Sequence, residues 1–146
     1  MIAVDTNILV YAHREDSEWH EPADRCLTQL AESGAPWAIP WPCIHEFVAI
    51  ATHPRIYDPP TPLVDVIEQV KCWLEVPTLV LLSENPGYWE ILRDLLENGR
   101  VVGQQVHDTR IAALCKQHGV TELWTADRDF NRFQALPTVN PLVLKR

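Results

Sequence analysis

The sequence contains no apolar run approaching the roughly 20 residues that a membrane-spanning helix needs. Its first residues carry no basic group and reach an acid at position 5, which is unlike a secretion signal. Repeats, low-complexity tracts and linkers are absent too, and 47% hydrophobic residues in a regular pattern exclude a disordered chain. We therefore expect one cytoplasmic domain over residues 1–146, with no membrane partner.

The cysteines and histidines lack the spacing of a zinc site or of a disulfide framework. No two of the four cysteines form a short Cys-x-x-Cys pair, and each lies in an apolar helical context, so we predict buried free thiols. His45 and His107 each precede an acid, but neighbouring helical residues point about 100° apart and need not share a site. The histidines therefore do not predict a catalytic base. The cysteines are Cys26, Cys43, Cys72 and Cys115.

The chain is poor in positive charge, with 12 lysines and arginines against 20 acids and a net charge of −8. This balance argues against indiscriminate binding to nucleic acid. Several arginines nevertheless fall in or near the polar segments that hold the acids described below. Each is most simply a solvated side chain, whereas together they could supply phosphate contacts that the overall charge conceals. They are Arg14, Arg55, Arg110, Arg128 and Arg132.

Strand-like and helix-like apolar segments alternate along the chain. This alternation predicts an α/β fold with a central parallel sheet covered by helices on both faces. Residues 53–62 contain four prolines and predict an irregular loop. The predicted strands are residues 2–4, 37–39, 78–82, 123–125 and an edge strand at 138–140, with a short helical turn at 129–133. The predicted helices follow Asp5-Thr6-Asn7, then span 18–32, begin at Pro42, span 63–74, run from Pro86 to Asn98-Gly99, and span 105–118.

Four acids stand at the ends of apolar segments, where a purely structural sequence would place apolar groups. Asp5 follows the first strand, Asp127 follows a late strand, and Asp108 leads the inward stripe of a helix. Glu46 lies at the border of the buried face of its helix. Ligands of open parallel sheets bind beyond the carboxyl ends of the strands. The pattern therefore predicts one shared carboxylate pocket at that edge.

Crowded carboxylates call for a cation. Two unit charges about 4 Å apart repel by roughly 4 kcal/mol at an effective dielectric constant near 20. Either some of the carboxyl pKa values rise or a cation lies among the acids. Oxygen ligands favour the hard ions Mg²⁺ and Mn²⁺. Taken singly, each acid also has a structural interpretation as a helix cap or first-turn acid, and Asp129 competes with Asp127 for either role.

These motifs resemble those of the PIN domain, over essentially the whole chain. The segments around position 53 and near position 140 resemble the VapC-type toxin branch of that family. The PIN-like segments are Asp5-Thr6-Asn7, Glu46, His107-Asp108 with Ile111-Ala112-Ala113-Leu114, and Thr125-Ala126-Asp127-Arg128-Asp129-Phe130. The VapC-like segments are Ala51-Thr52-His53-Pro54-Arg55 and Val139-Asn140-Pro141-Leu142.

The resemblance implies a three-layer α/β/α PIN-like fold and a homodimer. It also implies an endoribonuclease toxin that depends on Mg²⁺ or Mn²⁺, cuts RNA and is neutralised by a cognate antitoxin protein. The implied metal-binding and catalytic carboxylates are Asp5, Glu46, Asp108 and Asp127, the last directly or through water. Supporting hydrogen bonds are expected from Asn7, Thr125 and Asp129. Arg128, Arg110 and Arg55 are the expected contacts to RNA phosphates.

Two other interpretations stay open at this point. One is a phosphoryl-transfer protein of the receiver or aspartate-nucleophile type, although such a phosphatase needs Asp-x-Asp where this chain has Asp5-Thr6-Asn7. The other is a non-catalytic RNA- or protein-binding module whose acids only cap helices. Binding of Mn²⁺ separates the second interpretation from the nuclease, because helix caps alone would not hold the ion.

Overall fold

The computed structural model describes residues 1–143 and alternates strands with helices, as the sequence predicts. Residues 144–146, the end of the predicted domain, lie outside the described residues. The strands are β1 (Ile2–Val4), β2 (Trp37–Pro40), β3 (Leu79–Leu82), β4 (Glu122–Trp124) and β5 (Thr138–Val139). The helices are α1 (Thr6–His13), α2 (His20–Glu32), α3 (Trp41–Ala51), α4 (Leu63–Leu74), α5 (Tyr88–Gly99) and α6 (Gln105–Gln117), with a 3₁₀ turn at Arg128–Arg132.

The five strands form one parallel sheet in the order β3-β2-β1-β4-β5. β1 is central, with Ile2 paired to Trp37 of β2 on one side and to Glu122 of β4 on the other. Every residue of β2 is buried, and Ala3 and Val4 of β1 are fully buried. Such apolar strands are typical of a parallel sheet that is covered on both faces.

Helices cover the sheet in two outer layers. The chain moves from β1 to β2 to β3 toward one edge and then returns to β4 and β5 at the other. Because crossover connections are right-handed, α1 to α4 lie on one face, and α5, α6 and the 3₁₀ turn lie on the opposite face. In agreement, α1 packs against α2 and α3, and α5 packs against α6. The predicted three-layer α/β/α fold is therefore confirmed.

The strand order reverses between β1 and β4, and this reversal positions the candidate site. Neighbouring strands whose connections leave on opposite faces create a crevice beyond their carboxyl ends. The backbone N–H of Asp5 donates to the carbonyl of Trp124 at 3.0 Å, so the two strand ends are joined directly. The segments that follow β1 and β4 therefore lie side by side.

Two local predictions need correction. Cys72 is exposed, because α4 buries only Val66 and Trp73. Pro86 lies in a turn outside α5, since Gly87 takes a left-handed φ of +90° and the helix begins at Tyr88.

Helix α5 ends at Gly99, where the sequence predicts its end. The left-handed residue that follows the helix is not the glycine, however. Arg100 is the residue with the left-handed conformation, at a φ of +49°. Gly99 instead makes room for a neighbouring side chain, because a Cβ atom on it would lie 3.0 Å from Cγ2 of Val101.

The predicted loop at residues 53–62 is held by the end of α1. The guanidinium of Arg14 pairs with Asp16 and donates to the carbonyl of Pro59 at 3.0 Å and to Oγ1 of Thr61 at 3.1 Å. It also lies 4.2 Å from the centre of the Tyr57 ring. Arg14 therefore anchors a loop on its own protein. In residues 1–143, no helix is long and apolar enough to cross a membrane.

Candidate metal centre

Asp5 occupies the carboxyl end of the central strand and is 4% exposed. Its Oδ1 accepts a hydrogen bond from the backbone N–H of Thr6 at 2.7 Å, which caps α1. Its Oδ2 accepts from Oγ1 of Thr125 at 2.7 Å and from Nδ2 of Asn7 at 3.3 Å. The helix-cap interpretation is thus correct for this residue, yet it does not account for the contacts on the second oxygen.

Asn7 and Thr125 join the end of β1 to the segment after β4. Nδ2 of Asn7 donates to Oγ1 of Thr125 at 3.3 Å, and its Oδ1 accepts from the backbone N–H of Ala126 at 3.1 Å. Oγ1 of Thr125 also accepts from the backbone N–H of Asp127 at 2.9 Å. Both predicted supporting residues therefore lie between Asp5 and Asp127, and their effect on activity stays a prediction.

Glu46 approaches Asp5 from α3, where it is partly buried. Its Oε2 accepts a hydrogen bond from Oγ1 of Thr6 at 3.0 Å. Glu46 is close enough for its negative charge to oppose the ionisation of both Asp5 and Asp108. The charge of Glu46 therefore acts both on Asp5, at the end of β1, and on Asp108, which is described next.

Asp108, Asp127 and Asp129 bring a carboxylate oxygen each to within 4.8 Å of one another. Asp108 lies in the first turn of α6. Oδ1 of Asp127 also caps the 3₁₀ turn by accepting the backbone N–H of Asp129 at 2.9 Å. The tightest acidic group within residues 1–143 thus includes Asp129, for which the sequence predicts only a supporting role, while Asp5 and Glu46 lie beside that group.

Burial and mutual repulsion change the acidity of two of these groups. Burial raises the pKa of Asp5 to about 6, and the charge of Glu46 adds to the increase. Hydrogen bonds from Thr125 and Thr6 oppose that increase. Partial burial also raises the pKa of Asp108, and the charges of Asp127, Asp129 and Glu46 reinforce this effect. Burial and neighbouring negative charge therefore both oppose the ionisation of Asp5 and Asp108.

Three further side chains contact or act on this pocket and were not predicted as site residues, although Arg132 was among the arginines noted near the acids. They are Thr6, which holds Glu46; Cys43, whose thiol lies 3.6 Å from Oδ1 of Asp5; and Arg132, whose charge lowers the pKa of Asp108. Their spacing from the acids in the sequence is the signal that could have identified them. Thr6 follows Asp5 directly, and Cys43 precedes Glu46 by one helical turn. Arg132 lies three residues after Asp129, and spacing alone did not distinguish it from the other arginines.

The predicted phosphate-binding arginines occupy different surroundings. Nη2 of Arg110 lies 3.6 Å from Oε1 of Glu84, in an ion pair that leaves Arg110 about 41% exposed. Arg128 is exposed at the start of the 3₁₀ turn, next to Asp127 and Asp129. Arg55 is exposed in the loop beyond the far end of α3. Of the three, Arg128 is the one that adjoins the acidic group in the chain.

The donor set fits a divalent hard cation. Every candidate ligand in the pocket offers a carboxylate oxygen, and three carboxylates converge within the distance that a single ion can span. Partial burial is the main cause of the raised pKa of Asp108, and the neighbouring negative charges, which a bound cation would offset, add to it. A parallel α/β/α fold with an acidic pocket at the strand-order reversal defines the class to which this protein belongs.

Comparison with known proteins gives this class its name. A sequence model of the PIN domain matches residues 2–136. Ribonuclease VapC43 of Mycobacterium tuberculosis is 32% identical over 142 residues, covering 97% of this chain and 96% of the relative. Ribonuclease VapC37 of the same species is 31% identical over 144 residues, covering 99% of each chain. The chain belongs to the PIN domain family.

Solved structures show the same fold. VapC20 of Mycobacterium tuberculosis, described as a sarcin-ricin-loop-cleaving toxin, matches with a TM-score of 0.67 and 13% identity, covering 90% of this chain and 93% of that one. VapBC2 of Rickettsia felis, bound to a DNA fragment from their promoter, matches with a TM-score of 0.66 and 20% identity, covering 95% and 98%. At such low identity these likenesses show the fold alone.

Proposed function

We propose that this protein is an endoribonuclease toxin of a toxin–antitoxin pair, which hydrolyses RNA phosphodiester bonds at a carboxylate-bound Mg²⁺ or Mn²⁺ site. The observation that carries the proposal is the convergence of Asp108, Asp127 and Asp129 within 4.8 Å, beside the buried Asp5. The similarity to VapC ribonucleases over nearly the full length of both chains supports RNA as the substrate.

The acids divide into two groups in this proposal. Asp108, Asp127 and Asp129 would hold the ion from the side of α6 and the 3₁₀ turn, and Asp5 and Glu46 from the side of β1 and α3. When bound, the ion supplies positive charge that neutralises phosphate oxygens and makes water more acidic. Asn7 and Thr125 keep the Asp5 carboxylate in one orientation through their hydrogen bonds. No histidine is needed as a general base.

RNA would be held by the arginines around this pocket. Arg128, with Arg110 and Arg55 as further contacts, would bind phosphates and position the strand without reading its bases. Arg110 would have to exchange its partner Glu84 for a phosphate. Such local contacts allow a protein of net charge −8 to bind RNA where the charge is favourable.

An intracellular ribonuclease needs an inhibitor, and α4 offers a surface for one. Apolar side chains of α4 remain exposed, namely Leu63 at 58%, Val64 at 71% and Ile67 at 56%. Between α2 and α4 lies a groove of about 150 Å³ lined by residues such as Leu27 and Trp73. An amphipathic antitoxin helix would cover this surface, and a basic side chain following it would compete with the metal.

The partner proposal has a direct test. The chain is co-expressed with the small open reading frame adjacent to its gene, and one of the two products is purified by a tag. We expect a stable complex without nuclease activity. Purification of this chain alone, harmless to its host and without metal-dependent nuclease activity, would contradict the toxin proposal.

A homodimer completes the proposal. None of the residues of α5 is fully buried, and Trp89 is 59% exposed. Val102 in the following loop is 72% exposed, and Val106 in α6 is 38% exposed. A second copy packed on this surface would remove these side chains from water. We also propose that the protein acts in the cytoplasm, where RNA is available to it.

Metal binding is tested by isothermal titration of the purified protein with Mn²⁺. We expect wild type to bind, and Asp108→Asn and Asp129→Asn each to weaken the affinity at least tenfold, because each removes a candidate ligand. Asp94→Asn, at an exposed position of α5, is the matched control and should bind as wild type does. A wild-type protein that binds no Mn²⁺ would favour the non-catalytic binding module instead.

A further inference from the structure

The Asp5 carboxylate receives four hydrogen bonds, which matches the roughly four acceptor positions of an ionised carboxylate. Three of the donors are ordinary N–H or O–H groups, from Thr6, Asn7 and Thr125. The fourth is a thiol. Sγ of Cys43 lies 3.6 Å from Oδ1 of Asp5, and the contact is buried. None of the roles assigned above explains why a sulfur donor stands there.

We propose that Cys43 is a positioning residue of the metal centre, whose S–H group orients the Asp5 carboxylate without contacting the ion. The proposal rests on the proposed metal-dependent function, since it concerns a carboxylate assigned to that centre. Cys43 is 0% exposed, and its side chain is a free thiol rather than half of a disulfide. The sulfur therefore carries the proton that it donates.

Because Cys43 lies in α3, its contact with Asp5 also affects where Glu46 of the same helix lies. Glu46 follows one turn later and accepts a hydrogen bond from Oγ1 of Thr6 at 3.0 Å. Residues three apart in a helix lie on the same side. The junction of β1 with α1 is thus joined to α3 at two points, Cys43 to Asp5 and Glu46 to Thr6. The pair of contacts sets where the Glu46 carboxylate lies relative to that of Asp5.

A thiol suits this position better than the alternatives. Sulfur is a weak donor, so Cys43 can hold a buried carboxylate oxygen in place and leave most of its negative charge to attract a cation. A side chain without a donor would leave that oxygen partly unsatisfied in a buried environment, which is costly. Most buried thiols act only as small apolar groups. Cys26 of α2 is also buried but lies on a helix that carries none of the candidate acids, and it serves as the control.

Infrared spectroscopy of the metal-free protein tests the contact itself. The S–H stretching band lies where other protein groups absorb little, and hydrogen bonding lowers its frequency. We expect a low-frequency component that disappears in Cys43→Ala, shifts upward in Asp5→Asn and is unchanged in Cys26→Ala. A Cys43 band that does not move in Asp5→Asn would overturn the proposal, whatever the metal affinity of the protein.

Calorimetric titration with Mn²⁺ then tests the consequence for the metal centre. Outer hydrogen-bonding partners of metal ligands typically contribute 10–100-fold in affinity. For a weak donor we expect Cys43→Ala to lose about threefold to tenfold. Cys43→Ser, which keeps a donor, should recover most of that loss, and Cys26→Ala should match wild type. Circular dichroism checks the fold, and Cys43→Val, which fills the space without a donor, replaces Cys43→Ala if the smaller side chain unfolds the protein.

The two measurements separate failure of this inference from failure of the proposed function. Unchanged Mn²⁺ affinity in both Cys43→Ala and Cys43→Val, with normal binding by wild type, would overturn the positioning role alone. Absence of Mn²⁺ binding by wild type would overturn the proposed function and with it the role of Cys43 at a metal centre. The infrared result would then report only a structural contact.

Discussion

At the scale of the residue, Asp5 combines two roles that are often taken as alternatives. It caps α1 through Oδ1 and presents Oδ2 to Thr125 and Asn7. A cap is satisfied by one oxygen and does not need to be buried. The burial of Asp5, at 4% exposure, has an energetic cost in the ionised form. A carboxylate kept in such a position is typical of a functional site.

This cost leads to a prediction about the pH dependence of stability. The pKa of Asp5 is about 6 in the folded metal-free protein, and it returns to its ordinary value of 3.8 in the unfolded chain. Because the folded state binds the proton more tightly, the contribution of Asp5 to stability is fully present below about pH 4 and is lost as pH rises through about 6. A difference of about two pKa units corresponds to about 3 kcal/mol.

Urea unfolding at several pH values, in the presence of EDTA, measures this contribution. Between pH 4 and pH 7 the free energy of unfolding of wild type should fall by up to about 3 kcal/mol more than that of Asp5→Asn, which does not titrate. Saturating Mn²⁺ should remove most of the difference at pH 7. Parallel curves for the two metal-free proteins would show that Asp5 does not carry the raised pKa.

Arg128 supports a second prediction at the residue scale. Its exposed side chain beside Asp127 and Asp129 is free to reach a phosphate of bound RNA. Arg128→Ala, tested with uncleaved RNA on an Asp108→Asn background, should weaken binding and reduce the slope of log affinity against log salt by about 0.7. The exposed Arg25 of α2 gives the control Arg25→Ala, which should leave the slope unchanged. A change in the preferred cleavage sequence of otherwise wild-type Arg128→Ala would make it a base-reading residue.

At the scale of the element, Arg14 shows how a loop can be fixed by one side chain. The arginine is 11% exposed in its pair with Asp16 and contacts Pro59, Thr61 and Tyr57. His13 adds a contact of 3.1 Å between Nε2 and Oγ1 of Thr61. The loop at residues 53–62 therefore takes its shape from the end of α1 as well as from its own prolines.

We expect Arg14→Ala to lower the free energy of unfolding by about 1–3 kcal/mol, since the loop loses its hydrogen bonds to the guanidinium, including the one to the partly buried Oγ1 of Thr61, and the packing of the guanidinium on Tyr57. Arg14→Lys should recover only part of this, because lysine lacks the planar fork that pairs with a carboxylate through two bonds. Arg93→Ala, at an exposed ion pair of α5, should change stability by less than about 0.5 kcal/mol. Equal stabilities of Arg14→Ala and Arg93→Ala in urea unfolding would contradict the anchoring role.

The elements were predictable from sequence because their signals are local. Apolar strands and helical periodicity predicted the order of the elements, and their alternation predicted the parallel sheet. Sequence patterns could not show that Gly87 is left-handed and keeps Pro86 outside α5, because that depends on a backbone conformation. Nor could they show that Cys72 is exposed, since this depends on which face of α4 meets the core.

The sequence predicted which acids belong to the candidate site, but it did not predict all the contacts that they make. Acids at strand ends could be placed at one edge by topology. The nearness of Asp129 to Asp108 and the thiol contact of Cys43 depend on how the 3₁₀ turn and α3 pack, which no local pattern records. Arg14 is the opposite case. Its position in the sequence suggested a phosphate contact, whereas in the structure it holds the loop at residues 53–62.

At the scale of the whole molecule, the fold concentrates negative charge at one edge of the sheet in a protein whose net charge is already −8. Such a surface repels RNA unless cations are present. On the proposed function, metal ions would have two effects, because they would complete the site and make the approach of a phosphate favourable. Activity should depend on divalent ions more steeply than stability does.

The most direct test is cleavage of RNA by the purified protein, free of any partner, with Mg²⁺ or Mn²⁺ and with EDTA. Total RNA should be cut at discrete positions when either ion is present, and EDTA should abolish the cutting. Asp108→Asn should be inactive yet as folded as wild type, and Asp94→Asn should cut normally. Cleavage by wild type that persists in EDTA, or full activity of Asp108→Asn, would contradict the assignment of this acidic pocket as a metal-dependent ribonuclease site.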